Sequence, residues 1–199
     1  QRFATVEQDG FVWVYAEPNA RPKTKPFELP LTQEPGYSTV RRVVEAPATL
    51  HATIENALDV PHTAFLHKGL FRGSGVTNRI KAVTTRGPDH VQTEYIGEPR
   101  PDGLVGKLLS PSGGLVTHYD RFIMPSIAQV EYRIGDENHI FVTAVGTPVD
   151  DFMTRLYAVV QFRVRLLPAF LVKLVLTPIA LKIFAQDVEV LTAQADTID

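Results

Sequence analysis

Leu115-Val116-Thr117-His118-Tyr119-Asp120-Arg121-Phe122-Ile123, then Ile127-Ala128-Gln129-Val130-Glu131-Tyr132-Arg133-Ile134, then His139-Ile140-Phe141-Val142-Thr143-Ala144-Val145-Gly146 are runs rich in β-branched and aromatic residues. Met124-Pro125-Ser126 separates the first two, and Gly135-Asp136-Glu137-Asn138 the last two. Such runs between Gly, Pro, Asp and Asn clusters predict neighbouring antiparallel strands. Ala82–Thr85 and His90–Ile96 extend the pattern upstream, so the middle of the chain, from Val76 to Thr147, is an antiparallel sheet. Further upstream, Phe11–Tyr15 reads as an early strand between Asp9-Gly10 and Glu17-Pro18, and Ser38–Val44 as another. Prolines 18, 22, 26, 30 and 35 exclude helix and central strand between them and predict an extended strap. Pro47 opens a helical period with Leu50, Ile54, Ala57 and Leu58 on one face, ending near Pro61. After Asp150 the chain is dense in Leu and Ala, lacks glycine, and reads as helical to its end. Helices on either side of a meander give an α+β class.

The chain has 199 residues, enough for one domain with a sizeable core. Its hydrophobic fraction of 44%, charged fraction of 21% and net charge of -2 give no basic excess for a nucleic-acid partner. The absence of cysteine excludes a disulfide, a thiolate metal site, a cysteine nucleophile and an iron–sulfur cluster held by this chain alone. Any metal must take nitrogen and oxygen ligands. The chain opens on Gln1, has no leader-like segment, and reads as a piece of a longer cytoplasmic protein. Val164 to Phe184 is its most apolar stretch, but Arg165, Lys173 and Lys182 interrupt it, and Pro168 and Pro178 predict short helices rather than a span of about 20 apolar residues. Packing on the sheet or on another subunit is the expectation, and a lipid-facing lip the alternative.

Six histidines are present, two of them in Glu55-Asn56-Ala57-Leu58-Asp59-Val60-Pro61-His62-Thr63-Ala64-Phe65-Leu66-His67. A spacing of five residues rotates side chains by about 140° on an ideal helix, so both imidazoles reach one point only if the backbone leaves the helix nearby. Pro61 offers a reason for that. Two neutral imidazoles suit Fe, Zn, Cu or Ni, although one core and one surface histidine would look the same. On a wheel of the last helix, Asp187 lies within about 60° of Ala180, Ile183, Phe184, Val190 and Leu191, whereas Lys182, Glu189 and Asp196 fall opposite. A lone buried carboxylate costs several kcal/mol unless paired or metal-bound. It would therefore pair with an arginine such as Arg121, cap a local backbone group, or join the histidines in the facial triad typical of non-haem Fe(II) oxygenases.

Glu55-Asn56-x-x-Asp59-x-x-His62-x-x-x-x-His67, followed far downstream by Gln186-Asp187-x-Glu189-x-Leu191, closely resembles the catalytic domain of Rieske non-haem iron oxygenases. Within that family it is most similar to the vanillate O-demethylase, pheophorbide a oxygenase and carbazole dioxygenase group. Glu7 to Tyr15 also resembles the segment that follows the Rieske domain, so the resemblance covers residues 1–199. It implies that His62, His67 and Asp187 bind Fe(II). Asp59 would bridge His62 to a histidine of the Rieske [2Fe-2S] cluster on a neighbouring subunit of a homotrimer, and Asn56 would lie near the metal. As a carboxylate one turn from a ligand histidine, Asp59 could also accept the other ring N–H of His62. The fold implied is a helix-grip: a long antiparallel sheet curled around a cavity and closed by the C-terminal helix. Phe65, Leu70, Phe71 and Phe122 are candidates to line that cavity.

The activity implied is reductive activation of O2 to oxidise, by preference monooxygenate, an apolar aromatic or polycyclic substrate. Electrons would come from NAD(P)H through a reductase, with or without a ferredoxin. A Rieske cluster needs two cysteines and two histidines, so its domain is absent from this chain, and a Cys-x-His and a Cys-x-x-His are expected before Gln1. A helix-grip cavity with a vestigial metal site, acting as a lipid or sterol carrier, is the alternative of a different class. A metal-dependent hydrolase fits less well, because the histidines do not form a His-Glu-x-x-His arrangement.

Overall fold

A computed structural model describes residues 1–67, 79–98, 116–135, 138–165, 168–195 and 197. Two compact units divide the chain, Gln1–Pro35 and Gly36–Asp199. In the first, β1 (Thr5–Gln8) and β2 (Phe11–Val14) form an antiparallel hairpin. Asp9 and Gly10 occupy its turn at φ 55 and 80, the left-handed conformations that a two-residue hairpin turn demands. The proline-spaced strap contains no helix or strand. It is held by the Asp9 carboxylate, which accepts from the Leu29 backbone N–H at 3.1 Å, and by Gln8 donating to the Phe27 carbonyl at 3.0 Å.

The second unit carries the site. Its elements are β3 (Ser38–Ala46), α1 (Leu50–Leu58), α2 (Val60–Leu66), β4 (Lys81–Arg86), β5 (His90–Ile96), β6 (Val116–Ile123), β7 (Ile127–Ile134), β8 (Asn138–Asp150), β9 (Met153–Arg163) and α3 (Ala169–Ala195). Strands β4 to β9 pair each with the next, all antiparallel, and β3 joins the free edge of β9. The sheet stays open, with β3 and β4 as its edges. Together with α3 this is an α+β, helix-grip architecture, as expected.

Two sequence readings need correction. Met153–Arg163 is a strand, not helix: it pairs with β3 on one side and β8 on the other. Buried residues occur on both faces of it, Leu156 and Phe162 on one, Val159 and Gln161 on the other. A doubly buried strand shows no clean alternation, and its lack of glycine mimics a helix. The turn before it is Asp151-Phe152, with the Phe152 N–H donating to the Asp150 carboxylate at 2.8 Å. The second correction concerns Pro168 and Pro178. Pro168 precedes α3 and accepts from the Leu171 and Val172 N–H groups at its start, while Pro178 lies inside a helix that runs on unbroken for 27 residues. Packing of α3 on the sheet near its two ends outweighs the hydrogen bond that Pro178 removes.

Helix α1 begins at Thr49, whose side-chain oxygen accepts from the Ala52 N–H at 3.1 Å. Its apolar face sets Ile54, with Leu50, Ala57 and Leu58, against Ala128, Ala144 and Leu156 of the sheet. Gly146 permits this approach, since a Cβ there would stand 2.6 Å from Leu50 Cδ1. Val172 and Leu176 of α3 pack on Val40, Tyr132, Ile140 and Phe162.

On the opposite face of β7 and β8, Glu131 is buried and accepts from Arg121 at 2.7 Å, Arg133 at 2.7 Å and His139 at 3.1 Å. Burial alone would raise its pKa, but the hydrogen bonds from His139, Arg121 and Arg133 outweigh that and bring it down from 4.5 to about 2. A depressed carboxylate contributes stability that is complete above its unfolded value and is lost as the pH falls through the folded one. Glu131→Gln should therefore cost on the order of 3 kcal/mol at neutral pH and flatten the acid limb between about pH 5 and about pH 2. Denaturant titrations across that range test this, and parallel curves for the two proteins would remove Glu131 from the account.

Candidate metal centre

Both histidines are carried by α2, and the chain leaves the helical conformation at either end of it. Asp59 ends α1 and precedes α2 with φ -81 and ψ 90, an extended conformation, and His67 ends α2 with φ -95 and ψ 30. Pro61 is not the break. It lies in the first turn of α2, where its missing N–H costs nothing. His62 Nε2 and His67 Nε2 stand 3.1 Å apart with their rings nearly perpendicular.

Asp187 completes the group from the inward face of α3, as the wheel predicts. Its Oδ1 lies 3.4 Å from His62 Nε2 and 3.2 Å from His67 Nε2. Arg121 is engaged instead by Glu131 and Gln92. Among the described residues, His62, His67 and Asp187 are the one group of three or more such side chains whose donor atoms gather closely enough to hold a metal ion.

Each ring nitrogen that faces away from this point has an acceptor. His67 Nδ1 donates to Gln186 Oε1 at 3.0 Å, and His62 Nδ1 donates to the backbone carbonyl of Asp59. The latter corrects the expectation that the Asp59 carboxylate fills that role. The extended ψ at Asp59 turns its carbonyl out of the α1 ladder toward His62, and the Asp59 side chain is exposed. With Nδ1 protonated on both rings, both Nε2 atoms present lone pairs to the same point. Asp187 Oδ1 is buried there with no neighbour able to donate to it other than these two ring nitrogens. Two lone pairs and a carboxylate oxygen repel one another unless a proton or a metal cation sits between them. The spacings of 3.1, 3.2 and 3.4 Å match one triangular face of a coordination shell with bonds of about 2.1 Å, whose edges run from about 3.0 Å in an octahedron to about 3.4 Å in a tetrahedron.

The electrostatics agree. Burial pushes the His67 pKa down, but the Asp187 carboxylate and Gln186 Oε1, which accept from its ring nitrogens, together with the Asp187 charge, outweigh it and hold the imidazole above its ordinary value. Burial likewise raises Asp187, and His62 and His67 outweigh it and draw it below the usual carboxylate range. The pocket favours opposite charges placed together, which is what a metal and its carboxylate provide.

The triad opens onto a cavity of about 210 Å³ between α1, α2, α3 and the sheet. Its walls are apolar: Val44, Val130, Val142 and Val160 on the sheet, Ile183 and Phe184 on α3. Asn56 lines it beside His62 and His67. Phe65, expected in this lining, is 79% exposed instead, because α2 turns it away from the sheet. Phe122 packs with Ile54 and Ala128 beside the cavity, not in its lining. Leu70 and Phe71 lie outside the described residues.

Sequence reasoning missed Gln186, although it adjoins Asp187, and a second buried cluster near α2. There His118 is fully buried, with Nδ1 at 2.5 Å from Glu98 and Nε2 at 2.8 Å from Asp120, its ring stacked between Tyr95 and Tyr132. Burial lowers its pKa, and the two carboxylates outweigh burial and raise it. Tyr95 is pushed up to about 12 by burial and by the charges of Asp120, Glu98 and Asp59. A period-two pattern of His118 and Asp120 on one strand face was the available signal.

No curated protein matches the chain in sequence. Among solved structures, dicamba monooxygenase bound to 3,6-dichlorosalicylic acid superposes with a TM-score of 0.78 at 17% identity, covering 98% of this chain and 60% of that one. Pseudomonas putida CBB5 NdmB gives 0.71 at 16% identity, covering 95% of this chain and 51% of that one. NdmA from the same organism, with caffeine, gives 0.70 at 19% identity, with 95% and 52% covered. The chain thus spans between half and three-fifths of these structures' length, and at such identities they establish the fold. The family model described as vanillate O-demethylase oxygenase C-terminal domain matches residues 46–199. That span takes in α1 to α3 and every residue of the triad, and the chain accordingly belongs to this family of Rieske oxygenase catalytic domains.

Proposed function

We propose that His62, His67 and Asp187 hold a mononuclear Fe(II) and that this chain is the part of a Rieske-type oxygenase that monooxygenates an apolar ring compound. The observation that carries the reading is the convergence of two imidazole lone pairs and one buried carboxylate oxygen at the wall of an apolar cavity. His62, His67 and Asp187 would hold the iron, which when bound would supply reductive activation of dioxygen.

The chain's own residues do the rest. Gln186 and the Asp59 carbonyl hold the Nδ1 protons and so aim both Nε2 atoms inward. Asp187 offsets part of the metal charge. The valine and alanine walls keep water away from the substrate and leave its orientation to shape. A volume of about 210 Å³ fits a compound of one or two rings, the size of the caffeine and 3,6-dichlorosalicylic acid named with the neighbouring structures. Asp59 joins the site to the surface: its carbonyl holds His62 and its exposed carboxylate is free to meet the Rieske domain of a neighbouring subunit in a homotrimer. Electrons would enter there from NAD(P)H through a reductase and, where the system uses one, a ferredoxin.

Metal analysis should find about one iron per chain, lost in His62→Ala and Asp187→Ala and released as the pH falls below the imidazole range near about 6.5. Gln186→Leu should weaken Fe(II) affinity by roughly 10–100-fold without unfolding the chain. Chain that binds an aromatic ligand equally well without metal, and takes up no iron, would be a carrier instead. In the complete protein, Asp59→Asn should keep its iron, because the carbonyl remains, and should slow single-turnover oxidation of the Rieske cluster at least about tenfold. Unchanged cluster oxidation in that variant would take the electron path away from Asp59.

A further inference from the structure

The N-terminal half of α3 has two apolar faces. Its inner face, Val172, Leu176, Ile179 and Ile183, packs on the sheet and lines the cavity. Its outer face leaves Phe170 69%, Leu174 71%, Val175 44% and Leu181 43% exposed, with Leu171 beside them. At 100° per residue these outer side chains and Pro178 fall within about 140° of arc, opposite the inner stripe, and run for about 17 Å along the axis. Lys173 is exposed outside one edge of this arc, and Lys182 is exposed at the C-terminal end of the stripe. Scattered surface leucines are ordinary, but a contiguous apolar stripe is a contact surface.

Its charge setting selects the occupant. From Phe152 to Gln186 the chain contains Arg155, Arg163, Arg165, Lys173 and Lys182 and no acidic residue, in a protein whose net charge is -2. Arg155 is paired with Glu45, and Arg163 lies over the Tyr37 ring. Exposed Glu189 appears on the same face only beyond the stripe. An apolar ridge with one lysine at its side and another at its end, on a helix not apolar enough to cross a bilayer, suits contact with the headgroup layer.

We propose that the outer face of α3 between Phe170 and Lys182 docks on a lipid surface bearing anionic headgroups. Phe170, Leu174 and Leu181 enter the acyl boundary while Lys173 and Lys182 stay at the headgroups. The inner face of the same turns lines the cavity, so an apolar compound dissolved in the bilayer meets the protein at the helix that encloses its site. This inference stands independently of the iron, since the stripe contains none of the proposed ligands.

The test is co-sedimentation of the full chain with vesicles of phosphatidylcholine alone or with about 30% phosphatidylglycerol. Binding should be at least about fivefold tighter to the anionic vesicles, and the difference should vanish near about 0.5 M salt. Leu174→Asp, or the milder Leu174→Asn, should reduce binding about tenfold with the circular dichroism unchanged, and Lys173→Glu with Lys182→Glu should abolish the anionic preference. Absence of vesicle binding, or binding indifferent to these substitutions, overturns the proposal. A change in sedimentation mass on Leu174→Asp without vesicle binding by the parent chain overturns it in favour of a second copy.

Discussion

Everything in the larger unit depends on one face of α3 lying against the curled sheet. Val172, Leu176 and Leu191 are buried by that contact, near the two ends of the helix. Between them the sheet curves away and leaves the cavity, lined from above by Ile179, Ile183 and Phe184. The contact also explains why Pro178 is tolerated inside the helix. Burying apolar side chains near both ends, at roughly 1.5–3 kcal/mol each, outweighs one lost backbone hydrogen bond.

The same contact delivers Asp187. A carboxylate on the buried face of a helix is costly, and here it is carried to the place where two imidazoles also lack a partner for their lone pairs. With the proposed divalent cation in place, three separately unfavourable groups would become a favourable set, and part of the folding free energy would be conditional on metal. In the metal-free chain the set compensates by redistributing protons, which is why His67 is held above and Asp187 below their ordinary values.

Much of this was legible in the sequence, for identifiable physical reasons. Strands β4 to β8 have clear turns between them wherever the chain is described, and Asp187 is singled out by the period of α3 because its acidic neighbours fall on the other side. Strand β9 was not legible, because a strand buried on both faces loses its alternation and Met153–Arg163 has no glycine or proline to mark it. The continuity of α3 was hidden because proline content reports local cost and not the tertiary packing that offsets it. Phe65 failed as a pocket residue because one turn of α2 decides which way it points. The partner of His62 was invisible for a different reason: a backbone carbonyl has no signature in the sequence.

That last point changes how Asp59 should be understood. Were its carboxylate the acceptor for His62 Nδ1, a single group would have to fix the ligand's tautomer and also make contact beyond the chain, and any change there would disturb both. The ψ of 90 at Asp59 divides the two tasks within one residue. Its carbonyl, turned out of the helix, holds the imidazole. Its carboxylate stays exposed, and its charge reaches Tyr95, whose hydroxyl belongs with the buried Asp120 and His118 cluster. The break between α1 and α2 is therefore the feature to preserve when this site is altered, since it orients one proposed ligand and leaves the Asp59 carboxylate exposed beside it.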